Sequence, residues 1–90
     1  MLELVKFALD ITDADRDVEL TNLIEAALID LKIAGICVPV SADDCDPILK
    51  RAIVTYCKLF FGECEDYDRL KAAYNEQKHQ LQTNSNYSTR

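Results

Sequence analysis

Ninety residues, 49% of them apolar, carry sixteen acidic against ten basic side chains, for a net charge of −6. That length supports one small domain, which buries somewhat more than ~60% of its unfolded surface and is only marginally stable alone. The apolar residues never run to the ~18 that a membrane span needs, the opening MLELVKFALD carries acids where a secretory leader is basic, and no basic stripe offers a grip on nucleic acid.

Leu2 to Leu9 has apolar side chains at Leu2, Val5 and Leu9 on one side and at Leu4, Phe7 and Ala8 on another. This predicts a helix of about two turns, too short to persist without docking. Asp10 to Asp15 forms a boundary. Thr12 followed three residues later by Asp15 is a weak capping box, Ile11 is placed to staple back, and Asp13, Asp15 and Asp17 put negative charge where a helix dipole favours it. The alternating acids also suggest a calcium loop, but the required glycine is missing and the twelfth position is Ile24 rather than glutamate.

A second helix is predicted from Asp13 or Ala14 to about Ala34. Val18, Leu20, Leu23, Ile24, Ala27, Leu28, Leu31 and Ala34 supply its apolar stripe, Glu19, Glu25, Asp30 and Lys32 its other side, and Gly35 its stop. Residues 36–45, ICVPVSADDC, break the helical period and predict an extended loop or a short edge strand, since Pro39 cannot donate to a ladder. So apolar a loop needs a surface: either the domain's own core, or another subunit against Val38 and Val40.

Residues 46–62, DPILKRAIVTYCKLFFG, predict the central helix. Asp46 caps it, Pro47 suits its first turn, and Gly62 suits a left-handed stop. Its apolar residues cover more than half the circumference, far beyond the ~100° stripe of a surface helix, so it should be wrapped on several sides. After the acid-rich Glu63 to Asp66, the spacing of Tyr67, Leu70, Ala73 or Tyr74, Gln77 and Leu81 predicts a fourth, outer helix. Residues 82–90 lack a stripe, and Tyr87 is their one core-type residue. The expected organisation is all-α: a bundle of about four helices over 1–81 around the helix at 46–62, with a flexible, disordered C-terminal tail at 82–90.

No constellation for chemistry emerges. The lone His79 lies far from the cysteines, Cys37, Cys45, Cys57 and Cys64 lack the short paired spacings of a zinc site, and no phosphate loop or nucleophile pair is present. No catalytic residue, metal or cofactor is expected. Cys57 reads as a core thiol, while Cys37 and Cys45 flank one loop and are candidates to pair under oxidation. Charge is more informative. Residues 1–46 hold eleven acids against Lys6, Arg16 and Lys32, whereas residues 47–90 hold five acids against seven basic side chains. Such a division suits either solvated helix faces or head-to-tail contact between copies.

The order of these features resembles the head-tail connector proteins of tailed bacteriophages and prophages. The match lies in L-x-x-V-K-x-x-L, then I-T-D-x-D-x-D before L-x-x-L-I-E-A-A, then D-P-x-L-K-x-A-I opening an apolar helix that ends F-F-G. Tyr56, Phe60 and Phe61 stand for the family's aromatic-rich ending of that helix, while the cysteines of the loop and the tail after Leu81 depart from its pattern. The resemblance implies a structural subunit that forms a homo-oligomeric ring in the virion. It would dock on the portal protein, offer a platform to the next head-completion or tail protein, and let DNA pass without sequence-specific binding. Asp13, Asp15, Asp17, Lys50, Arg51, Val38 and Val40 are candidate subunit-interface residues, and Tyr87 and Arg90 candidate portal-docking residues of the tail. The alternative is a small phage-encoded interaction module acting as a monomer or dimer. A helix-turn-helix DNA binder is a poorer fit, because the central helix is too apolar to read a groove.

Overall fold

The computed structural model describes residues 1–12, 14–61, 66–84, 86 and 87. Expectations at Asp13, Gly62, Glu63, Cys64, Glu65 and Arg90 lie outside the described residues. Four helices follow in order: α1 (Leu2–Ala8), α2 (Asp17–Ile33), α3 (Pro47–Phe60) and α4 (Tyr67–Thr83), with a 3₁₀ turn at Ala42–Asp44 between α2 and α3. The described residues hold no β-strand, so the all-α expectation holds. The radius of gyration is 12.7 Å, close to the ~12 Å expected for a compact chain of this length.

Helix α3 is the central element, packed against α1, α2 and α4. Its start follows from local chemistry. The Asp46 carboxylate accepts the Leu49 N–H at 2.9 Å, and Pro47 occupies the first turn, where a missing donor costs nothing. Leu49, Ala52, Ile53, Cys57 and Leu59 are buried. They meet Leu20, Ile24, Ala27 and Leu31 of α2, Val5 of α1 and Tyr74 and Leu81 of α4 in one core cluster.

Two helix ends share one device. After α2, Gly35 takes φ 85°, its N–H donates to Lys32 O, and the Ile36 N–H donates back to Leu31 O, each at 3.0 Å. This double closure satisfies carbonyls that the helix end leaves free, and it drives Ile36 fully into the core. After α1, Asp10 repeats the arrangement at φ 58°, with its N–H on Phe7 O and the Ile11 N–H on Lys6 O. A left-handed aspartate is tolerated there because the short side chain crowds the backbone little.

The start of α2 differs from the sequence expectation. Thr12 and Asp15 do not cap it: the helix begins at Asp17, after Arg16, with no side-chain cap. Tertiary contacts set that boundary instead. Arg16 places its guanidinium 5.0 Å from the centre of the Phe61 ring, and Lys6 Nζ lies 2.8 Å from Asp17 Oδ1.

Candidate assembly surfaces

Three features of the surface bear on function, and the first is a face of α2. One turn of helix is 3.6 residues, so Leu20, Ile24, Ala27 and Leu31 line one side and Val18, Asn22, Glu25, Ile29 and Ile33 the opposite one. The first set is buried. The second set faces solvent, with Val18 76%, Ile29 58% and Ile33 81% exposed. Val18 therefore lies outside the stripe to which its spacing assigned it, and Ile29 and Ile33 are surface residues that the sequence does not mark. Phe7 of α1, 87% exposed, adds to the uncovered apolar surface.

The second feature is the loop at 36–45. Ile36 and Cys45 are buried at its ends, Val38 and Pro39 are half-buried, and Val40 is fully exposed at the tip. The loop then turns through Ser41, whose hydroxyl oxygen accepts the Asp43 N–H at 3.3 Å. Val38 packs on the domain's own core, and Val40 does not. Beyond the turn, the Asp43 carboxylate meets the amine of Met1, which together with Lys50 holds its pKa below the usual carboxylate range.

The third feature is a groove of about 650 Å³ between the start of α3 and α4, with Pro47, Ile48 and Arg51 on one wall and Ala73, Gln77 and Leu81 on the other. Arg51 and Ile48 are exposed. Gln77 Oε1 is shielded from solvent without a hydrogen-bond partner.

Two polar clasps hold these surfaces in place. Asp30 of α2 accepts the Tyr74 hydroxyl at 2.5 Å and the Lys78 ammonium at 3.3 Å, while Lys78 also stands 5.0 Å over the Tyr74 ring. Burial first, and the Asp30 carboxylate second, raise the Tyr74 pKa. Gln82 then donates to Ala34 O at 2.8 Å, fixing the end of α4 to the end of α2. In the other clasp the Tyr87 hydroxyl donates to Asp46 Oδ2 at 2.5 Å, and the Cys37 N–H donates to Tyr87 O at 2.5 Å. The Tyr87 and Leu49 donors hold the Asp46 carboxyl below the usual carboxylate range, and the same carboxylate raises the Tyr87 hydroxyl.

Among the residues singled out from sequence, Asp15 and Arg51 are exposed, and Asp17 and Lys50 are half-buried. Asp17 Oδ1 is buried beside Lys6, without a hydrogen bond of good geometry. Among the described residues no ion pair joins Asp15 or Asp17 to Lys50 or Arg51 of the same chain. Tyr87 is tied to the start of α3, although it belongs to the stretch expected to be loose. Cys37, Cys45 and Cys57 are free thiols. Burial pushes Cys57 up to about 12 and raises Cys45, which leaves both poor nucleophiles. Among the described residues no group of three or more His, Cys, Asp or Glu is placed to hold a metal ion, and no helix is long and apolar enough to cross a membrane.

A family model described as "Phage connector protein" matches residues 1–88. Comparison with curated proteins and with solved structures gave no match.

Proposed function

Since the chain belongs to the phage connector protein family, we propose that it is a structural subunit of the virion, forming a closed ring that docks on the portal, extends the DNA channel and carries the next tail component. Its role is assembly without catalysis. The observation that carries this reading is the double-faced α2. Ile29 and Ile33 stand exposed one turn apart, with Val18 further along the same face, opposite the core face of the helix, and a subunit with neighbours has a use for that surface.

The unequal halves of the chain support a ring. Acids crowd the first half of the chain while the exposed Arg51 lies in the second, so the halves offer different surfaces, and contact between different surfaces builds a ring where its rotation closes. Acids that face the lumen of such a ring repel phosphates and let a duplex slide. The deciding measurement is the mass of the purified protein across concentration and salt, alone and with the portal protein of the same phage. A large closed species in either condition supports the proposal. A salt-insensitive dimer indifferent to the portal replaces it with an isologous interaction module.

A further inference from the structure

The ring leaves open which surfaces of neighbouring copies meet, and the loop tip and the α3/α4 groove answer each other. We propose, resting on the ring reading, that Val40 of one copy seats in the groove between α3 and α4 of the next, with Asp44 beside its neighbour's Arg51.

The tip is built to present a side chain. Ile36 and Ala42 are buried on either side of it, Pro39 restricts the backbone before Val40, and the Ser41–Asp43 turn fixes the chain after it. A fully exposed valine flanked by buried anchors and a proline loses less conformational freedom on docking than one on an unanchored loop. The groove has matching chemistry. Ile48, Ala73 and Leu81 offer an apolar lining, and its volume of about 650 Å³ admits a valine with its flanking backbone.

Charge sets the orientation. Lys50 acts on Asp43 of its own chain, whereas Arg51, at the groove's lip, has no ion pair among the described residues. An incoming copy brings the exposed Asp44 four residues after Val40. Glu76 on the opposite wall disfavours acids there, so the acidic side of the tip is steered to the Arg51 lip. The unpartnered Gln77 Oε1 is a further acceptor. Rotation of its amide offers it to an N–H or O–H from the incoming loop, ending an unsatisfied burial. Val40 is fully exposed in its own subunit and free to meet another copy, and the ring reading places the contact head to tail.

The test is directed cross-linking. Val40→Cys and Ala73→Cys are combined in one chain whose Cys37 and Cys64 are changed to Ser, and the protein is mildly oxidised at high concentration, alone and with the portal protein. The expected result is a ladder of covalent oligomers beyond the dimer, present only when both new cysteines are present. Arg51→Glu should shorten and weaken the ladder at low salt, and Arg51→Glu with Asp44→Arg should restore it. Rings formed without a ladder overturn this contact and leave the ring reading standing. A covalent species that stops at the dimer overturns head-to-tail contact, and the absence of any assembled species with the portal removes both readings.

Discussion

Asp46 performs two tasks with one carboxylate, and they are separable. Its Oδ1 caps α3 through Leu49, and its Oδ2 takes the Tyr87 hydroxyl, 41 positions away in sequence. Asp46→Ala should cost about 1 kcal/mol from the lost cap, measured by denaturant unfolding, and should also release Tyr87. Tyr87→Phe should leave the cap intact while the Asp46 pKa rises toward its ordinary value, read by NMR titration. The sign follows from linkage. A carboxyl with a depressed folded pKa stabilises above its unfolded pKa, and that contribution is lost as pH falls through the folded value. Asp46→Asn should therefore flatten the acid limb of the stability curve below the ordinary carboxylate range, and an unchanged limb would place the titrating group elsewhere. Asp10 offers a second test. At φ 58° a β-branched side chain is crowded, so Asp10→Val should destabilise by roughly 1–2 kcal/mol, whereas Asp10→Gly should not destabilise at all.

Helices that look alike in composition divide by what their faces meet. On α2, Leu31→Ala opens the core and should cost about 2–5 kcal/mol. Ile33→Glu, two positions on, should change stability by no more than about 0.5 kcal/mol while reducing assembly on the portal, with unfolding and sedimentation as the paired measurements. Loss of fold in the second variant would mean that the outer face belongs to the subunit's own core. The contrast also marks what the sequence could convey. Asp46, Pro47 and Gly35 act on backbone groups within a few residues, so they announce the start of α3 and the end of α2. The core positions Leu20, Ile24, Ala27 and Leu31 follow from helical spacing. Spacing cannot say which of two apolar faces is covered, and it places Val18 on the wrong one. Thr12 failed as a cap because Arg16 on Phe61 and Lys6 beside Asp17 decide where α2 begins. The Tyr74–Asp30 bond joins residues 44 apart and gives no local signal. Tyr74→Phe should cost about 1.5–3 kcal/mol, the range for a hydrogen bond to a charged group.

On the scale of the molecule, charge asymmetry and apolar surface make different demands on assembly, and salt separates them. Apolar burial on the outer face of α2 is little weakened by ionic strength, while attraction between exposed charges fades as the Debye length shrinks from about 10 Å at 0.1 M to about 3 Å at 1 M. Exposed pairs contribute about 0–1 kcal/mol each, so one reversal becomes visible mainly because a ring repeats every contact. Arg51 is exposed and Lys50 is half-buried beside its own chain's acids. Arg51→Glu should therefore impair assembly at low salt more than Lys50→Glu, and the difference should vanish near 1 M salt while the effect of Ile33→Glu persists. Light scattering of each variant with the portal protein across salt reads both trends in one series. Equal, salt-independent losses for the two charge reversals would show that the basic lip acts through shape rather than charge, and would leave the apolar face of α2 as the main bond between copies.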